Sequence, residues 1–283
     1  MDLQHRYVTV NGIRMHYVEA GAGETVLFIH GFPENWYSWR RQLEAFADQY
    51  HVVAPDMRGY NETENHGPYD TGTLQQDVVE LIDSLGVGRV HLVAHDWGAA
   101  VAWLFAMNHG DRLQSLTICN VPHPAIAERA FRNPRQLLRS WYIFFFQLPA
   151  VPEWVMSAKN YQWLARQLIR DCRPGTFTRE DIQFYLAAWR RQGLSGGINW
   201  YRALFRQRPS RGAPVAMIEM PTLFIWGEND RALGKELTYG TDQYVRNLQT
   251  EYLPGISHWV QQEASGEVNR LLATHLAANA SRA

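Results

Sequence analysis

The chain has 283 residues, of which 46% are hydrophobic, 13% aromatic and 19% charged, and a formal net charge of −1. This composition supports a sizeable core and excludes disordered and fibrous chains, and the length suits one catalytic domain carrying a large insertion. The two cysteines, Cys119 and Cys172, are too few for a disulfide framework and sit in no metal-ligand spacing. The start has no basic segment followed by an apolar one, and the sequence has no run of about 18 apolar residues. The expectation is therefore a cytoplasmic protein without metal, cofactor, nucleic-acid partner or stable membrane insertion, monomeric or homodimeric.

The first 120 residues alternate short apolar runs with helical patterns, which predicts βαβ units feeding a mostly parallel sheet. Expected strands are Arg6–Val10, Ile13–Glu19, Thr25–Ile29, Val52–Pro55, Val90–Ala94 and Leu116–Cys119. Asn11-Gly12 between the first two is a two-residue hairpin signal, so the sheet should open with an antiparallel edge. Helices are expected over Trp36–Phe46, Leu74–Leu85, stopped by Gly86, and Trp97–Asn108.

From Pro124 to Gly212 the strand signal disappears and helical patterns punctuated by Pro and Gly take over, with Thr178-x-x-Asp181 as a capping box. This segment carries 15 Arg plus Lys against 5 Asp plus Glu, an excess of +10, while the rest of the chain sums to −11. Such an asymmetry attracts an anionic partner or surface, or merely the other half of the molecule. The strand signal returns at Thr222–Trp226 and Leu248–Leu253, and a final helix fits Glu263–Leu272. The expected division is a core of 1–123 and 213–283 interrupted by a helical cap, 124–212.

Within Arg89 to Ala100 an apolar strand, a compact turn and a helix follow one another, with Asp96 at the turn and small residues, Ala94 and Gly98, on its flanks. That is the setting of a nucleophile elbow. A carboxylate there needs no base to attack saturated carbon, where it leaves an alkyl ester; cutting that ester requires water activated by a histidine that an acid orients. Trp226-Gly-Glu228-Asn-Asp230 and Gly255-Ile-Ser-His258-Trp259 supply both, in the order nucleophile, acid, histidine of the α/β-hydrolases, with Glu228 and Asp230 each open as the acid. The loop at His30-Gly31-Phe32, with the residue after the elbow, predicts an oxyanion hole from the amides of Phe32 and Trp97.

The motifs HGFPENWYSW, HDWG, GEND, SHW and NWYR resemble those of the soluble epoxide hydrolase family over residues 6 to 275. The resemblance implies an α/β-hydrolase core with a helical cap, Asp96 as nucleophile, His258 as base and Asp230 as its orienting acid. It also implies two cap tyrosines that hold the epoxide oxygen: Tyr201 in NWYR, and Tyr142 ahead of a Phe-Gln pair, with Tyr161 and Tyr185 as alternatives to Tyr142. The expected reaction opens a small lipophilic epoxide with water to a vicinal diol. A haloalkane dehalogenase shares the Asp and Trp but typically has Asn where Phe32 stands, and a non-catalytic ligand-binding protein of the same fold is the remaining alternative.

Overall fold

A computed structural model describes residues 2–130, 132–206 and 215–280. Its centre is an eight-stranded sheet made of β1 (Gln4–Val10), β2 (Ile13–Ala20), β3 (Thr25–Ile29), β4 (His51–Pro55), β5 (Val90–His95), β6 (Leu113–Cys119), β7 (Thr222–Gly227) and β8 (Leu248–Leu253). The spatial order is β1-β2-β4-β3-β5-β6-β7-β8. The β1–β2 and β2–β4 pairs are antiparallel and all others parallel, so the expected antiparallel edge is present. Strands β3, β5 and β7 are buried at every position, as befits a parallel sheet covered on both faces.

One face is covered by α1 (Arg40–Phe46), α11 (Val260–Glu263) and α12 (Ser265–Ala278), the other by α2 (Thr71–Ser84) and α3 (Asp96–Asn108). Two expected helices differ in outline. Trp36–Phe46 begins as a tight 3-10 turn, Trp36–Trp39, because the Asn35 side chain caps the Tyr37 amide at 3.0 Å, and only then becomes α1. The final helix is split at Ala264 and runs on to Ala278, beyond the expected Leu272.

Between β6 and β7, seven helices lie among the described residues: α4 (Pro124–Ala130), α5 (Pro134–Arg139), α6 (Trp141–Phe145), α7 (Val151–Ser157), α8 (Gln162–Asp171), α9 (Arg179–Gln192) and α10 (Ser195–Arg206). The expected boundary at Gly212–Ala213 lies outside the described residues. Thr178 and Asp181 form the capping box of α9, and Asp181 also meets the Tyr37 hydroxyl and the Arg40 guanidinium, both at 2.9 Å. Two buried indoles add ties: Trp189 Nε1 donates to Pro33 O at 2.7 Å and Trp200 Nε1 to Arg58 O at 3.1 Å. The helical layer is thus fastened over the β3 and β4 ends of the sheet.

Candidate active site

Strand β5 ends at His95, and the chain turns into α3 through Asp96, whose φ of +48° lies in the left-handed region. A non-glycine residue there is strained and must be held by its surroundings. Glycines make the room: a Cβ on Gly31 would overlap the Asp96 carboxylate, and one on Gly98 would lie 2.5 Å from His30 O. The turn therefore pushes the Asp96 side chain out at the end of the sheet, beneath the helical layer.

The two oxygens of that carboxylate face different groups. Oδ1 accepts the Phe32 amide at 2.6 Å, and the Trp97 amide also bonds the carboxylate. Oδ2 lies 3.4 Å from His258 Nε2. On its other side His258 Nδ1 is 2.6 Å from Asp230 Oδ2. Asp230 is fixed in turn by Asn120 Nδ2 at 2.9 Å and by the amides of Ala232 and Leu233 at 2.8 and 2.9 Å. Glu228 points elsewhere and pairs with Lys235.

The charges sustain one another. Burial alone would raise the pKa of Asp96 and Asp230, but His258 and the surrounding donors bring both below the ordinary carboxylate value. For His258 burial works toward the neutral form and is outweighed by Asp230 and then Asp96, which hold the imidazole well above its usual pKa. These shifts favour an imidazolium between two carboxylates at neutral pH.

Tyr142 on α6 and Tyr201 on α10 meet above Asp96, with ring centroids 6.0 Å apart. Tyr201 stands edge-on to Trp97 at 4.9 Å and to Phe32 at 5.5 Å, and its hydroxyl is hydrogen-bonded by the Trp97 indole. Burial, with the nearby Asp96 charge, lifts both phenols well above their usual pKa, so they stay protonated donors. Gln147 joins their helices: its amide donates to Ile143 O and to Tyr201 O, each at 3.0 Å. Tyr185 is instead buried against Glu34 and Gln262, and Tyr161 packs on Trp189.

Several supports were not singled out from the sequence. His95 lies under His258, with ring centroids 4.7 Å apart; its Nε2 is 2.9 Å from the His258 carbonyl and its Nδ1 is 3.2 Å from the buried carboxylate of Glu34. Asn120 accepts the Gly227 amide at 2.8 Å while holding Asp230, so it couples the ends of β6 and β7. Arg202, the last residue of NWYR, bonds Phe146 O, Leu148 O and the Glu153 carboxylate, which fixes α10 against α7. The available signal for these residues was polarity: Glu34 and His95 flank apolar strands, and Asn120 directly follows one.

A carboxylate elbow after β5, an acid after β7 and a histidine after β8, all at one end of a mostly parallel sheet, define an α/β hydrolase. The family model described as alpha/beta hydrolase fold matches residues 24–265. Human epoxide hydrolase 4 is 39% identical over 288 residues, covering 96% of this chain and 78% of the relative. A Bacillus megaterium epoxide hydrolase solved in complex with an inhibitor superposes with a TM-score of 0.88 at 32% identity, over 96% of this chain and 99% of that one. Epoxide hydrolase VrEH1 from Vigna radiata gives a TM-score of 0.85 at 33% identity, with 97% of each chain covered. The chain belongs to the epoxide hydrolases of the α/β-hydrolase fold.

Proposed function

We propose that this enzyme hydrolyses lipophilic epoxides in two steps on Asp96, beneath a cap formed by residues 124–212. Asp96 Oδ2 attacks an epoxide carbon while Tyr142 and Tyr201 hold the ring oxygen. As the ring C–O bond breaks, one phenol gives its proton to the departing alkoxide. The product of this step is an alkyl ester of Asp96.

Esterification cancels the Asp96 charge, which is one of the causes that keep His258 protonated. The imidazolium can then give up its proton to the tyrosinate left by the first step, and the neutral imidazole acts as the base at the moment a base is needed. Oriented by Asp230, it takes a proton from water, whose oxygen attacks Asp96 Cγ. Oδ1 becomes the tetrahedral oxyanion and stays where the amides of Phe32 and Trp97 already bind it. Collapse expels the diol oxygen, which recovers the proton from His258. The second water proton, left on the new carboxylic acid, passes to His258 and restores the resting charges of the pair.

The observation that carries this reading is the division of the carboxylate, with Oδ1 on the Phe32 amide and Oδ2 facing His258. A structural relative from Bacillus megaterium was solved with (R)-3-[1]naphthyloxy-propane-1,2-diol as its product, which supports an aryl glycidyl ether as the test substrate. Offered separately with a bromoalkane, the ether should give diol and the bromoalkane no bromide. Bromide without diol would assign the site to dehalogenation instead.

A further inference from the structure

Ten of the fourteen large hydrophobic side chains exposed among the described residues lie between Leu138 and Phe205, in the helical layer. They include Leu138 at 77% exposure, Trp154 at 75% and Trp141 at 59%. Monomeric soluble proteins rarely leave contiguous apolar surface of this kind without a use.

The helices that carry them are joined to one another. Helix α6 and the Phe146 that ends it are two-sided: Tyr142 and Phe146 turn to Tyr201, whereas Trp141 and Phe144 face outward. Phe205 of α10 closes on Phe144 with ring centroids 5.8 Å apart. Arg202 binds α10 to the 146–148 turn and to Glu153 of α7, whose next residue is Trp154. Helix α8, packed on α7, presents Trp163, Arg166 and Arg170 at i, i+3 and i+7, on one exposed face.

Exposed cations occupy the same helical segment. Arg132, Arg135, Lys159, Arg166, Arg170 and Arg206 are exposed, and none forms a salt bridge among the described residues. Three of the five carboxylates between Pro124 and Gly212 are already committed, Glu153 to Arg202, Asp171 to Arg231 and Asp181 to Arg40. At least six of the fifteen cations between Pro124 and Gly212 are therefore outward charges without a salt-bridge partner among the described residues.

We infer that this outer face docks on anionic phospholipid bilayers. A second copy seated on the same face would bring its cations against these, so like charges would oppose the contact. A bilayer with anionic headgroups suits both components: Trp and Phe settle at headgroup depth, and arginine stems lie along the apolar boundary with guanidinium groups on phosphates. If the substrates are lipophilic epoxides, as proposed above, the face delivers the Tyr142 helix to the phase in which they dissolve; docking itself does not depend on that reading.

Flotation of the whole enzyme with vesicles tests this directly, using phosphatidylcholine alone and phosphatidylcholine with about a third phosphatidylglycerol. The enzyme should float with the anionic vesicles, remain behind with neutral ones and be released by high salt. Replacing Arg166 and Arg170 together by Gln should weaken partition about 30-fold, and Trp154→Ser should weaken it without altering the salt dependence. All variants should hydrolyse a water-soluble epoxide as the parent does, which shows that they are folded. Absence of parent enzyme from the anionic vesicles, or equal recovery with both vesicle types, overturns the inference. So does sedimentation showing a dimer that these substitutions dissociate, since the face would then join two copies. Because flotation involves no turnover, its failure leaves the hydrolysis proposal standing, and a failed diol assay leaves docking standing.

Discussion

His258 Nε2 lies 3.4 Å from Asp96 Oδ2, close enough to stabilise the free carboxylate, and it loses that charged partner once the oxygen is alkylated. The same histidine is thus not required for the first bond to form. His258→Gln should let Asp96 react and then stop, lowering turnover by about 1,000-fold, within the usual range for loss of a general base. Intact mass should show the parent mass plus one epoxide, localised to the peptide containing Asp96. A dead variant with an unchanged mass would argue against an ester on this residue.

The paired phenols predict a different pattern. Since Tyr142 and Tyr201 meet over one point, either can hold the epoxide oxygen when the other is lost. Tyr142→Phe and Tyr201→Phe should each slow ester formation by about 10- to 100-fold, and the double variant by about 1,000-fold or more, without ester accumulating. Burial, then the Asp96 charge, pushes both phenols upward, so neither should contribute an alkaline limb below about pH 10. A limb near pH 9 that disappears in Tyr201→Phe would show the phenol ionising within the working range.

Legibility in the sequence follows the range of the interaction. The strand pattern, the Asn11-Gly12 hairpin and the Thr178–Asp181 box depend on neighbours a few residues apart, and the structure shows each of them. The elbow could be read because its strain demands small flanking residues in sequence. By contrast, the Glu34–His95 pair joins residues 61 apart and the Asn120–Asp230 bond residues 110 apart. No periodicity encodes such meetings, and a buried polar residue looks like any other polar residue until its partner is known. The split of the expected helix at Trp36–Phe46 was equally hidden, since one side-chain cap at Asn35 decides it.

Gly31 contributes space rather than chemistry, which makes it a sharp test of how closely the carboxylate is held. A methyl group there would collide with the Asp96 side chain itself. Gly31→Ala should cost about 1–3 kcal/mol of stability, as overpacking does, and should reduce ester formation far more than substrate binding. Urea unfolding and single-turnover kinetics measure the two parts. A variant with unchanged single-turnover rate would mean that Asp96 tolerates displacement from the Phe32 amide.

Asp230 and His258 form a coupled pair whose stability contribution depends on pH in a definite direction. The His258 pKa is raised in the fold, so its contribution is complete below about pH 6.5 and is lost as pH climbs through the raised value. The Asp230 pKa is lowered, so its contribution is present above about pH 4 and is lost as pH falls through the depressed value. Between these limits the pair is intact. Asp230→Asn removes the first cause that raises His258 and leaves an imidazole with less reason to be charged in a buried site. It should cost about 3 kcal/mol at pH 6, the scale for breaking a buried pair, and the difference from the parent should narrow as pH rises past the His258 titration. The His258 pKa itself, followed by NMR, should fall. Urea unfolding across pH that shows a constant difference would mean that Asp230 holds the ring by shape alone, with its charge contributing nothing.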